Sequence, residues 1–202
     1  MENKFGFVSL SGRTNVGKST LLNAFFQKKI AITSRKPQTT RNRILGILTE
    51  EKSQIVFLDT PGVHLGYKRQ LNKVMNKIAS HCYEEVDLVL FLIDRFKWQK
   101  EEENILKSLK NLNKPVVLVI NKIDRLRDKT KLLAFIKDIS EKFNFLSIVP
   151  ISALKKDNLM ELKSVILNNL EIGSYHFPED SLTEFSDNFF ISEIIREKAI
   201  NR

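Results

Sequence analysis

Four short stretches combine residue types and spacings suited to holding a phosphorylated ligand. Gly12-Arg-Thr-Asn-Val-Gly-Lys-Ser19 fits the pattern G-x-x-x-x-G-K-[ST], directly after an apolar run and directly before a helical one. Gly12 and Gly17 let backbone N–H groups close around phosphate oxygens, and the N-terminus of the following helix adds positive potential. Lys18 is expected to reach the β and γ phosphates, and the Ser19 hydroxyl to bind Mg²⁺. Arg13, Thr14, Asn15 and Val16 form the loop between the glycines, and Thr20 follows Ser19 at the helix start.

Asp59-Thr-Pro-Gly62 closes the apolar run Ile55 to Leu58, so Asp59 is expected at a strand's C-terminal end, where α/β sheets bind ligands. It is the candidate carboxylate for holding Mg²⁺ through water. Thr60, Pro61 and Val63 flank Gly62, whose N–H can face the γ-phosphate with no side chain in the way. Asn121-Lys-Ile-Asp124 follows another apolar run. A carboxylate there accepts two hydrogen bonds and so matches the N1–H and exocyclic amine of guanine. Adenine offers no such pair and would leave Asp124 unsatisfied. Lys122 can lay its stem over the base, Asn121 can tie this loop to the phosphate loop, and Ile123 sits between. Ser152-Ala153, after a further strand, would bring a backbone N–H toward the guanine carbonyl oxygen.

These stretches need a scaffold, and the rest of the chain reads as strands alternating with helices, the pattern of a mostly parallel sheet covered on both faces. Strands are predicted over Phe5 to Leu10, Arg43 to Thr49, Gln54 to Asp59, Asp87 to Asp94, Val116 to Ile120 and Leu146 to Ile151. The second and third, separated by Glu50-Glu-Lys-Ser, form the one expected antiparallel pair. Helices are predicted over Lys18 to Gln27, Leu71 to Tyr83, Gln99 to about Leu112, Thr130 to Phe143 and Met160 to Leu170. The fold class is therefore α/β, with six strands flanked by helices. From Gly173 to Asn188, Gly, Pro, Ser and acidic residues mark a linker, and Phe189 to Lys198 starts another helical pattern.

Length and composition agree with one such domain plus a short appendage: 202 residues, 42% hydrophobic and 28% charged. Val86 to Ile93, the longest apolar run though broken by Asp87, is too short to cross a bilayer. Met1 to Phe7 lacks the features of a secretory signal, which makes the cytoplasm the expected location. Cys82 stands alone and is expected to pack rather than react. The net charge of +9 is uneven, since residues 173–202 hold six acids against three bases. The basic body fits either an RNA-facing patch or merely solvated lysines, and it is also compatible with peripheral contact at the inner face of the cell membrane.

The four motifs in this order resemble the Ras-like TRAFAC class of P-loop GTPases over about residues 5 to 170. Ser34-Arg-Lys-Pro-Gln-Thr-Thr-Arg41, Asp59-Thr-Pro-Gly-Val-His64 and Ile194-Ile-Arg-Glu-Lys198 are most similar to the Era-like GTPase family within it. The resemblance implies GTP and GDP as ligands, Mg²⁺ as cofactor and GTP hydrolysis as the reaction. It also implies a switch role in small ribosomal subunit assembly and ribosomal RNA maturation, with ribosomal RNA as partner; a monomer is the expected form. It places Thr40 in switch I as a Mg²⁺ ligand, with Thr39 the competing choice. The implied catalytic set is Lys18, Thr40, Asp59, Gly62 and Asn15, and the implied metal ligands are Ser19, Thr40 and Asp59.

Several positions depart from the patterns of the class. Ras itself has a water-orienting glutamine where this chain has Val63, so hydrolysis needs another arrangement. Some Era-like relatives bind K⁺ through the residue matching Asn15. Asn15 is thus a candidate K⁺ ligand, and the alternative is a loop residue that merely tolerates turn geometry. His64 is a weaker candidate for placing water. Thr14 replaces an expected proline, which loosens the loop without removing a phosphate contact. The family carries an RNA-binding KH domain with a G-x-x-G loop, and no G-x-x-G occurs here. Residues 1–172 are therefore expected to form the GTPase domain, 173–188 a linker, and 189–202 the start of a KH-type domain, cut short. Two other readings stay open: a nucleotide-gated binding module with negligible hydrolysis, or the GTPase domain of a tRNA-modification or other ribosome-assembly factor.

Overall fold

The computed structural model describes residues 3–27, 44–59, 86–111, 113–126, 128 and 130–181. Val, Ile, Leu and Phe runs form the strands β1 (Lys4–Ser11), β2 (Ile44–Glu50), β3 (Ser53–Asp59), β4 (Leu88–Asp94), β5 (Val116–Asn121) and β6 (Ser147–Pro150). The described α-helices are α1 (Lys18–Phe26), α2 (Lys100–Lys110), α3 (Thr130–Ser140) and α4 (Leu159–Asn168). The sheet order is β2-β3-β1-β4-β5-β6, antiparallel only at β2 along this path. Each predicted strand is present within a residue or two, and α3 and α4 end two to three residues before their predicted limits. The predicted helix over 71–83, the 34–41 stretch and residues 182–202 lie outside the described residues.

Side-chain alternation along the strands divides the core in two. Leu88, Leu90 and Leu92 of β4 join one cluster with Leu21 and Leu22 of α1 and Leu162 and Ile166 of α4. Val89, Phe91 and Ile93 point the other way, toward Ile105 and Leu109 of α2 and Ile139 of α3. A strand buried on both faces has no polar side, which is why β4 and β5 read as continuous apolar runs. Phe26 is buried, while Phe25, Trp98, Phe135 and Phe143 pack partly buried against these clusters.

A seventh strand, β7 (Glu171–Ile172), adds to the expected six and makes a second antiparallel pair. It pairs with Lys4 and Phe5, and β3 already occupies one edge of that stretch. β7 therefore takes the edge that β4, pairing only from Val8 onward, leaves open. The predicted linker begins by docking on the sheet instead of running free. Gly173 N–H donates to Asn3 O at 2.8 Å, and the Tyr175 hydroxyl donates to Glu50 O at 2.8 Å. Gln54, fully buried, accepts from His176 N–H and Phe177 N–H at 3.1 Å each. Its amide donates to Phe177 O at 2.9 Å and to the Thr49 hydroxyl at 3.0 Å. The His176 ring stacks on Phe5 with centroids 4.0 Å apart. A glutamine with its whole amide satisfied avoids the penalty of burial, and no local pattern in 173–177 announces that partner.

Candidate nucleotide-binding site

Because β1, β3, β4, β5 and β6 run parallel, their C-terminal ends share one edge of the sheet, and the motif loops leave from that edge. β1 leads into the phosphate loop, where Gly12 and Gly17 have φ of 144° and 108°. A Cβ on Gly12 would lie 2.5 Å from Leu92 O of β4, and one on Gly17 would overlap the Asn121 amide nitrogen. Both glycines are thus required by close approach as well as by backbone conformation. Asn15, at φ 59°, is left-handed too and exposed. Val16 is buried beneath the loop. Lys18 lies at the first position of α1, 8% exposed, and its Nζ donates to Gly12 O at 2.8 Å and Arg13 O at 3.0 Å. Its ammonium therefore lies across the loop's first turn. Ser19 and Thr20 follow on the first turn of α1.

The end of β5 supplies the second loop. Asn121, 2% exposed, donates from Nδ2 to Val16 O at 2.9 Å. Its Oδ1 accepts from Lys122 N–H at 2.7 Å and from Ala153 N–H at 3.0 Å. One side chain thereby ties three loops, which is the role expected of it. Lys122, left-handed at φ 66°, extends its Nζ to Asn15 O at 2.7 Å and to Asp94 Oδ2 at 2.9 Å. Its stem is thus stretched between the two loops. Ile123 and Asp124 lie in a 3-10 turn, Ile123–Arg125, and Ile123 N–H donates to Ile151 O at 3.1 Å.

Ser152, fully buried after β6, gives its hydroxyl to Asp124 Oδ1 at 2.6 Å. Ser152 Oγ in turn accepts Lys155 N–H at 3.1 Å, and the Ser152 backbone pairs with Asp157 in both directions. Asp124 is therefore held by a serine that is itself fixed on three sides. Within the Ser152-Ala153 pair, the Ala153 N–H is directed at Asn121 Oδ1. It reaches a base carbonyl only by sharing or exchanging that bond.

Asp59 ends β3 in register with Leu10 of β1, so its backbone is at the edge beside the phosphate loop. Thr60, Pro61, Gly62, Val63 and His64, like Thr39 and Thr40, lie outside the described residues.

Asp94 was assigned no role from sequence, yet it belongs to this edge. It ends β4 in register with Asn121 and is 6% exposed. Its carboxylate accepts from Lys122 Nζ at Oδ2 and from Arg95 Nε at Oδ1, both at 2.9 Å. Burial pushes its pKa up, but those hydrogen bonds and the two positive charges outweigh burial and hold it below the ordinary aspartate value. A signal was available, because a polar residue closing a central apolar strand of a parallel sheet sits at the ligand edge whatever its motif.

Phosphate loop, N-K-x-D loop and Ser-Ala loop, gathered at the C-terminal edge of a mostly parallel sheet in this order, define a P-loop GTPase domain. Residues 7–122 match the family described as "50S ribosome-binding GTPase". "GTPase Era" of Haemophilus influenzae (strain ATCC 51907 / DSM 11121 / KW20 / Rd) is 51% identical over 193 residues, covering 96% of this chain and 64% of the relative. A crystal structure of Era in complex with MgGDPNP and nucleotides 1506–1542 of 16S ribosomal RNA superposes with a TM-score of 0.93 at 44% identity. It covers 98% of this chain and 68% of that one. The chain belongs to the Era family of GTPases. An Aquifex aeolicus Era variant bound to GDP·AlF4⁻ superposes with a TM-score of 0.92 at 44% identity, covering 97% of this chain and 67% of that one. The chain spans about two thirds of the length of these relatives.

Proposed function

We propose that this chain is the guanine-nucleotide-binding part of a molecular switch that binds GTP and GDP with Mg²⁺ and hydrolyses GTP. The observation that carries the reading is the Asp124 carboxylate. It sits beside a phosphate loop locked to its own loop by Asn121, with one oxygen held at 2.6 Å by the buried Ser152 hydroxyl. A carboxylate fixed in this way meets the N1–H and amine of guanine without reorganising, whereas adenine leaves it unpaired. Isothermal calorimetry with Mg²⁺ is expected to give tight binding of GDP and GTP and none of ATP. Equal affinity for adenine and guanine nucleotides would end this reading.

The chain's own residues divide the work. Gly12 to Gly17 present backbone N–H groups to the phosphates at the N-terminus of α1, and Lys18, placed by the Gly12 and Arg13 carbonyls, reaches toward the β and γ phosphates. Ser19, Asp59 and Thr40 would hold Mg²⁺, which would supply charge neutralisation on the phosphate oxygens. Gly62 offers its N–H to the γ-phosphate. Val63 cannot orient water, so transition-state charge falls to Lys18 and to a monovalent cation at the exposed Asn15. Single-turnover hydrolysis is expected to run faster in K⁺ than in Na⁺ buffer. Equal rates refute the cation, and no turnover in either favours a binding module over an enzyme.

The partner is RNA of the assembling small subunit. The family label speaks of the 50S particle, but the Era structure that superposes at 44% identity holds a 16S fragment, and the basic body of this chain suits a polyanion. Salt-dependent binding of the 3′ segment of 16S RNA, compared between the GTP and GDP states, tests this. Affinity indifferent to nucleotide argues against a switch.

A further inference from the structure

Arg13 stands inside the phosphate loop, but its guanidinium faces away from the loop's interior. Nε lies 2.8 Å from Glu102 Oε1, as an ion pair without the angle of a hydrogen bond. Nη1 reaches Gln99 Oε1 at 3.3 Å and approaches Glu101 Oε2 at 3.9 Å. All three partners lie at the N-terminus of α2, which no expectation from sequence placed near the site. Glu102 is fully buried. Its Oε2 accepts Gln99 N–H at 2.9 Å, and the Gln99 side chain caps Glu102 N–H in return, closing a capping box. Its Oε1 has no hydrogen-bond partner among the described residues, so its charge is answered by Arg13. Removing one member of such a pair leaves a desolvated charge uncompensated.

The backbone of Arg13 does the second half of the work. Its carbonyl is one of the two that receive Lys18 Nζ. A guanidinium fixed to α2 therefore fixes the peptide that places the loop lysine. We propose that Arg13 is a positioning residue for Lys18, clamped by Glu102, and that the pair couples the phosphate pocket to the first turn of α2. This rests on the nucleotide-binding reading above. Trp98, the only tryptophan, immediately precedes Gln99 and meets Phe91 edge-on with centroids 6.0 Å apart. It is a built-in reporter on the far end of the link.

The test uses the full chain and four variants: Glu102→Gln, which keeps shape and the capping bond but drops the charge, Arg13→Met, which keeps the stem, their double, and Arg13→Lys. Titration with Mg-GDP, followed by calorimetry and by Trp98 fluorescence, is expected to show a fluorescence change in the wild type. Each of the first two variants is expected to bind about tenfold more weakly and to lose that change. The double should be no worse than the weaker single, because the pair acts as a unit, and Arg13→Lys should be intermediate. Discrimination between GDP and ADP should be unchanged in all of them. Affinities that match wild type, or losses that simply add, overturn the proposal. Coupling in urea unfolding without coupling in GDP affinity also overturns it, by reducing the pair to a helix cap. If the wild type binds no nucleotide at all, it is the functional reading that falls, and the same urea cycle then decides whether the pair exists as a tether.

Discussion

The two ends of this one sheet are held by the same kind of bond and used in opposite ways. At the C-terminal end, Asn121, Lys122 and Ser152 join three loops through side-chain hydrogen bonds of 2.6 to 3.0 Å. At the other end, Gln54 joins β3 to residues 176 and 177 through bonds of 2.9 to 3.1 Å. In the first, polar atoms are brought together around Asp124, one of whose carboxylate oxygens is held by the Ser152 hydroxyl. In the second, every polar atom of the glutamine amide is consumed within the protein. A buried polar network thus marks a site only where its geometry points at something further. Where it closes on itself, it is an anchor, here for the chain leaving the domain.

The sharpest way to break the comparison is at Asp124. Asp124→Asn replaces an acceptor pair by a mixed amide, and affinity for GDP is expected to fall by at least about a hundredfold, read by calorimetry. Xanthosine diphosphate, which carries a carbonyl in place of the guanine amine, should bind the variant better than the wild type. Gly17→Ala comes next. Its Cβ overlaps the Asn121 amide at a φ of 108°, so it should break the Asn121–Val16 bond and weaken GDP binding by about tenfold. It is also expected to cost about 1–2 kcal/mol of stability in urea unfolding.

Gln54→Ala sharpens the contrast from the opposite end. It is expected to cost about 2 kcal/mol of stability and to release protection of the 176 and 177 amides in hydrogen exchange, while GDP affinity stays at the wild-type value. A loss of affinity would mean that the two ends communicate. Asp94→Asn should have the smallest effect, and pH exposes it. The folded carboxylate titrates below the ordinary aspartate value of 3.8, so the unfolded chain takes up the proton first. Its stabilisation is whole above that value and is lost as pH falls through the lower folded pKa. The stability gap between wild type and Asp94→Asn should therefore be constant from neutrality to about pH 4 and close below it.

The gathering of the motif loops at the C-terminal edge was legible because their patterns are local. Gly12, Gly17 and Lys18 are close in the chain, Asn121 and Asp124 sit in one turn, and each stretch follows an apolar run that names its own strand. Asp94 was overlooked because it belongs to no motif, although its place at the end of β4 matches that of Asn121 at the end of β5. Arg13 was read as part of the phosphate cradle, and its side chain turned out to serve α2. The seventh strand was missed because two residues carry no periodicity, and β7 exists only where β4 leaves the start of β1 uncovered.

Residue order alone determined the succession of the described strands and helices, the mostly parallel sheet and the edge where the motif loops gather, because hydrophobic periodicity and turn chemistry act over a few neighbours. Tertiary structure decided that Glu102 answers Arg13, that Asp94 steadies Lys122, and that Gln54 holds the departing chain. Each of these joins residues from 28 to 123 positions apart, and only folding brings such partners out of water together, where an unpaired polar atom is costly and a paired one is not.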